Sequence, residues 1–152
     1  MNDIQIDSVL VADDDPLLVL LFAQVLKDLG VKKISTACDG KRAVELYKKH
    51  KTDLVILDME MPVKNGYLAA KEIKQIDPDV KIVILTGNPS HPDIEKALAE
   101  GVITYLFIKP ISVEVINRIL LKREKSFIEN KLGCFGTRAL DRNINRDIIS
   151  AA

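Results

Sequence analysis

Four apolar runs in this 152-residue chain stop on side chains that can handle a phosphoryl group or a metal ion. SVLVA stops at Asp13, Asp14 and Asp15, VIL at Asp58, KIVIL at Thr86, and the run ending YLFI at Lys109. Crowded carboxylates repel and raise one another's pKa unless a cation sits among them. Hard divalent cations take oxygen ligands, and Mg²⁺ is usually held by one or two carboxylates, keeping waters for an incoming phosphoryl group. No His or Cys neighbours the aspartates in sequence, which argues against Zn²⁺. Thr86 offers a hydroxyl to a phosphoryl oxygen, and Lys109 a movable ammonium. Together these are the parts for phosphoryl transfer to a carboxylate.

Each part also has a plain structural counterpart. Asp13–Asp15 can serve as a helix N-cap, and Asp15 is read as that. Thr86 can be a turn residue before Gly87, and Lys109 a surface lysine pinned by Pro110. Taken singly, the plain readings prevail. The set of four, each at the C-terminal end of its own strand, favours the chemical one.

The elements that must position them alternate along the chain. Ser8 to Ala12 reads as a buried strand, and Pro16 fits the first turn of a helix. That helix is expected to run to about Leu29, with Leu17, Leu20, Leu21, Val25 and Leu29 inward and Gly30 closing it. Lys33 to Cys38 is a second strand, Asp39-Gly40 a turn, and Arg42 to His50 a short helix. The third strand is Asp53 to Leu57, delivering Asp58, and a helix from Tyr67 to Ile76 stops at Asp77-Pro78. Lys81 to Leu85 is a fourth strand, Pro92 to about Glu100 a fourth helix, and Ile103 to Ile108 a fifth strand. Ser112 caps a last helix with Val113, Ile116, Ile119 and Leu120 on its apolar face. This alternation predicts a doubly wound, five-stranded parallel α/β sheet with helices on both faces, expected in the flavodoxin-like order 2-1-3-4-5. The ends of strands one and three then lie side by side at the switch point, bringing Asp13 and Asp14 to Asp58.

Composition narrows the classes. The chain is 47% hydrophobic with 22 basic and 22 acidic residues, so no bulk attraction to nucleic acid or membrane follows. No apolar run approaches the ~20 residues that span a bilayer. The polar start MNDIQID is unlike a signal peptide, and the expected location is cytoplasmic. Cys38 and Cys134 match no metal or redox spacing. One domain is expected over 1–122, followed by a C-terminal helical extension or partly disordered tail over 123–152. There Phe127, Phe135 and the isoleucines leave a dimer or partner contact as one alternative.

The pieces VLVADDDP, VILDMEMPVKNG, VILTG and YLFIKP, with their intervals, resemble the receiver domain of a bacterial two-component response regulator over about 8–121. The resemblance implies a flavodoxin-like fold with Asp58 as phosphoacceptor and Asp13 and Asp14 as the pair that binds Mg²⁺. It implies that Glu60 lends the metal a backbone carbonyl, and that Thr86 and Lys109 contact the phosphoryl group. It makes Lys109-Pro110 a cis peptide, which X–Pro tolerates. The implied donor is a phosphohistidine on a sensor histidine kinase or phosphotransfer protein, and the output a face shown to a downstream protein. The domain is then a signalling module and not an enzyme beyond its own phosphorylation and dephosphorylation. Glu60 and Asn88 would flank the path of the hydrolytic water, with the Glu60 charge slowing dephosphorylation.

One feature departs from that pattern. The family places a switch aromatic three residues before the lysine, where this chain has Leu106 between Tyr105 and Phe107. A one-residue slip turns a strand side chain to the opposite face, so either a bulge restores Tyr105 to the switch position, the reading preferred here, or the switch is weakened or absent. Three other readings stay open. An aspartyl-phosphate phosphatase would use Glu60 as its acid but needs a cap domain. A flavodoxin-like cofactor binder needs a phosphate loop that is missing here. A receiver-shaped interaction module would never be phosphorylated.

Overall fold

The computed structural model describes residues 6–121. Within them β1 (Ser8–Ala12), α1 (Pro16–Asp28), β2 (Lys33–Ala37), α2 (Gly40–Lys49), β3 (Leu54–Asp58) and α3 (Gly66–Ile76) follow one another. Then come β4 (Lys81–Thr86), α4 (Pro92–Ala99), β5 (Tyr105–Ile108) and α5 (Val113–Leu120). The five strands form one parallel sheet in the expected order β2-β1-β3-β4-β5. No helix among the described residues is long and apolar enough to cross a membrane. The expected extension over 123–152, with Cys134, lies outside the described residues.

Strand side chains alternate between two cores, because successive residues point to opposite faces. Leu10, Val55, Leu57, Ile82, Ile84 and Leu106 pack under α2, α3 and α4 against Ala43, Tyr47, Ala70, Ile73 and Ala97. Val9, Val11, Ile56, Val83, Leu85, Tyr105 and Phe107 pack under α1 and α5 against Leu26, Ile116 and Ile119. Central β3 is buried along its whole length, as a strand covered on both faces must be. Side chains hold the helix starts: Asp15 accepts from the Leu17 and Leu18 amides, Asn65 from Leu68 and Ser112 from Val115. Gly30 closes α1 at φ +96°, where a side chain would be strained.

Two expectations need correction. The inward face of α1 is only partly the one expected: Val25 and Leu29 pack inward, but Leu17, Leu20 and Leu21 are 62%, 68% and 53% exposed, while Leu26 is buried. Phe22, Val25 and Leu29 pack beside Leu26. The first eleven residues of α1 (PLLVLLFAQVL) hold one polar side chain, Gln24, so hydrophobic periodicity cannot choose the facing stripe. Strand β5 begins at Tyr105 and not at Ile103. Thr104 leaves the ladder there, its amide donating to the Ile82 carbonyl and its hydroxyl oxygen accepting from the Ile82 amide.

Candidate functional site

Asp58 is the last residue of β3, and the ends of β1, β4 and β5 carry Asp13, Thr86 and Lys109 to the same edge. Carboxylate oxygens of Asp13, Asp14 and Asp58 lie within 4.8 Å of one another. Asp13 and Asp58 are buried and Asp14 is exposed. The Lys109 ammonium sits 2.5 Å from Asp13 Oδ2 and 3.2 Å from Asp58 Oδ1. Asp15 stands apart as the α1 cap, while its own amide donates to Asp13 Oδ1 at 2.9 Å.

These surroundings set the charges. Burial pushes the Asp58 carboxyl up to about 6, against the pull of Lys109, with Asp13 and Asp14 adding to the rise. Burial lowers the Lys109 pKa, but the neighbouring carboxylates of Asp13 and Asp58 outweigh it and leave the ammonium above its ordinary value. One ammonium among three carboxylates leaves the cluster short of positive charge. All three available donors are hard oxygens, the set that suits Mg²⁺.

Thr86 is fully buried, and its hydroxyl donates to the Asn88 carbonyl and accepts from the Asn88 amide, both at 2.9 Å. The Asn88 side chain donates to Glu60 Oε1 at 3.4 Å, tying the segment after Thr86 to the one after Asp58. The Lys109-Pro110 peptide is cis, and the Lys109 amide donates to the Thr86 carbonyl at 2.8 Å.

Behind Asp58 the chain turns sharply. The Lys64 amide donates to the Pro62 carbonyl at 2.7 Å, with Val63 between them at φ +69°, a conformation a β-branched residue adopts only under constraint. The constraint includes the Gly40 amide, which donates to the Lys64 carbonyl, and an ion pair of Lys64 with Glu72. Gly66 begins α3 directly against the Asp58 backbone, and a Cβ there would overlap the Asp58 carbonyl oxygen.

Tyr105 is not where the bulge would put it. The β4–β5 ladder is regular, pairing Val83 with Tyr105, Ile84 with Leu106, Leu85 with Phe107 and Thr86 with Ile108. Tyr105 therefore shares the α1/α5 face with Phe107, their ring centroids 6.2 Å apart. Leu106, fully buried, lies on the face of Ile84 and, by the alternation, of Thr86. No bulge exists to turn the tyrosine across, so Thr86 has an aliphatic neighbour on its own side.

The structure brings Asp13, Asp14, Asp58 and Lys109 into one cluster, with Thr86 at its edge turned toward Asn88. It also adds residues the sequence reading overlooked. Cys38 and Arg42 join Asp13 and Asp14 in lining a cleft of about 290 Å³, because β2 neighbours β1. The strand order alone could have placed them there. Asn65, Tyr67, Asp93 and Glu100 bond α3 to α4, and no motif marks them.

Comparison with known proteins bears on the same residues. The family model described as "Response regulator receiver domain" matches residues 9–121. The transcriptional regulatory protein PdtaR of Mycobacterium tuberculosis is 36% identical over 143 residues, covering 90% of this chain and 68% of that protein. The chemotaxis protein CheY of Thermotoga maritima is 31% identical over 115 residues, 73% of this chain and 95% of that one. CheY in the CheX-CheY-BeF3-Mg²⁺ complex from Borrelia burgdorferi superposes with a TM-score of 0.67 at 28% identity, over 74% of this chain and 85% of that chain.

Proposed function

This chain belongs to the response regulator receiver domain family, and we propose that Asp58 is its phosphoacceptor. The observation that carries the reading is a buried carboxylate of raised pKa, held 3.2 Å from a lysine at the open edge of the sheet. An oxygen of ionised Asp58 attacks the phosphorus of a phosphohistidine. The P–O bond forms, the P–N bond breaks, and the imidazole leaves with the electron pair. Lys109 holds the acceptor in line and meets the added negative charge. Thr86 turns its hydroxyl to a phosphoryl oxygen once the group is on Asp58.

The acidic cluster fits Mg²⁺ by its donor chemistry, with Asp13, Asp14, Asp58 and the Glu60 backbone carbonyl as the residues that would hold it. When bound, the ion supplies positive charge to the transferring phosphoryl oxygens. The partners that follow are a sensor histidine kinase or phosphotransfer protein as donor and a downstream protein as reader, in the cytoplasm. The receiver unit is taken to end near residue 122, with 123–152 as a separate extension. Glu60 and Asn88, bonded to each other, are proposed to slow the approach of hydrolytic water.

The test is intact mass after incubation with acetyl phosphate and Mg²⁺, on wild type and Asp58→Ala. A Mg²⁺-dependent adduct on wild type only is the expected result. A folded wild type with no adduct would return the chain to the class of unphosphorylated interaction modules.

A further inference from the structure

We propose that α4 is held in its resting position by a two-bond latch to the start of α3, which phosphorylation of Asp58 must release. The inference rests on the reading of Asp58 and Thr86 above and goes on to name what holds α4 at rest. Three observations carry it.

The first is a competition for one proton. The Thr86 hydroxyl has a single hydrogen to donate, and at rest it is given to the Asn88 carbonyl. A phosphoryl oxygen on Asp58 can take that hydrogen only if Asn88 gives it up. Asn88 is also the post from which the β4–α4 loop hangs. Its carbonyl accepts from the His91 amide at 3.2 Å, its side-chain oxygen from the Ser90 amide at 3.1 Å, and its side-chain nitrogen reaches Glu60. His91 in turn caps α4, its Nδ1 accepting from the Asp93 amide. Phosphorylation therefore loosens the support of the first turn of α4.

The second is what holds α4 from the other side. Asn65 Nδ2 donates to Asp93 Oδ2 at 2.8 Å, and this bond draws the Asp93 carboxyl below its ordinary pKa. The Tyr67 hydroxyl donates to the Glu100 carboxylate at 2.7 Å, with Lys71 reaching both. Asn65 and Tyr67 flank Gly66, which is packed on the Asp58 backbone. The two ends of α4 are thus pinned to the segment that follows the phosphoacceptor. The third is negative: Leu106, and not an aromatic, stands on Thr86's side of β5, so that strand offers no ring there to follow the hydroxyl inward.

Opposing influences on one equilibrium are reciprocal. If the latch favours the resting position, breaking it must favour the phosphorylated one. On the full chain, Tyr67→Phe and Asp93→Ala are expected to bind beryllofluoride in the presence of Mg²⁺ ~5-fold more tightly each, from loss of one half-exposed hydrogen bond of ordinary net strength. Hydrogen exchange supplies the second readout. Saturating beryllofluoride should speed exchange of amides 88–101 in wild type and leave 105–108 unchanged, and the two variants should show faster exchange at 88–101 without it. Glu100→Gln keeps a neutral acceptor for Tyr67 but gives up the Lys71 pairing, and should fall between wild type and Tyr67→Phe. Tyr47→Phe removes a hydroxyl bond away from α4 and should leave the affinity unchanged, separating the latch from general destabilisation. Unaltered affinity and exchange in both latch variants, on protein that acetyl phosphate does modify at Asp58, would overturn the latch alone. Absence of that adduct would remove the phosphoacceptor reading and the latch with it.

Discussion

The two faces of the sheet are built from alternate residues of the same strands, yet they are closed by different means. Under α2, α3 and α4 the apolar core is bordered by side-chain bonds between elements, Tyr47 to Asp77, Tyr67 to Glu100 and Asn65 to Asp93. Under α1 and α5 the cover is apolar and incomplete. A cavity of about 410 Å³ lies between the two helices, lined by Leu18, Leu21, Phe22, Ile111, Val113 and Ile116. Leu17 and Leu20 of α1 stand outside it in solvent. Polar ties fix a helix in position because each bond has one geometry, whereas apolar contact is non-directional and tolerates many. The first face is therefore suited to discrete rest and active positions, and the second to exposing apolar surface.

Packing contrast gives the largest expected effect. Leu106→Ala removes a fully buried side chain from the first core and is expected to cost about 2–5 kcal/mol in urea denaturation. A cost near zero would mean that this face is as loosely closed as the other.

At the edge where both faces end, Asp58 makes the next largest difference. In metal-free protein its folded pKa of about 6 lies above the ordinary value of 3.8. The folded state thus keeps a proton that the unfolded chain releases, so its contribution to stability is complete below pH ~4 and lost by pH ~6, about 3 kcal/mol in all. Asp58→Asn should abolish that slope, equalling wild type near pH 4 and exceeding it at pH 8. Saturating Mg²⁺ should close much of the gap by binding only the folded wild type. Parallel pH profiles for the two proteins would show that the carboxylate is not desolvated as described.

Two buried tyrosines sharpen the contrast between the faces. The Tyr47 hydroxyl donates to Asp77 at 2.9 Å, and burial with that bond pushes its pKa well up. Tyr105 is also buried, its pKa raised to about 12 by burial alone, and its hydroxyl makes no hydrogen bond among the described residues. Tyr47→Phe should therefore cost about 1–2 kcal/mol, and Tyr105→Phe nothing or a slight gain, since it removes an unpaired polar group. Equal costs in thermal or urea unfolding would show that Tyr105 has a partner too.

This pair also marks how far the sequence could be read. Strand existence and order were legible because each apolar run is short, β-branched and punctuated by Asp, Gly or Pro, and the strand ends located Asp13, Asp58, Thr86 and Lys109 together. The facing of single side chains was less so. Tyr105, Leu106 and Phe107 are all apolar enough to be buried on either side, and only the ladder with β4 decides between them. The α3–α4 bonds join residues 28 and 33 positions apart by ordinary polar side chains, with no periodicity to reveal them. In α1 the near absence of polar residues erased the pattern that would have told inward from outward.

The smallest effect belongs to those α1 leucines. Leu20 is 68% exposed, so Leu20→Gln gives up little burial and keeps a good helix former. Its expected cost is within about 0.5 kcal/mol. The same substitution at buried Leu26, six residues on, should cost several times more, because it places an amide in the α1/α5 core. Equal costs at the two positions would mean that Leu20 is covered in solution, and the contrast between a tied face and an open one would then vanish.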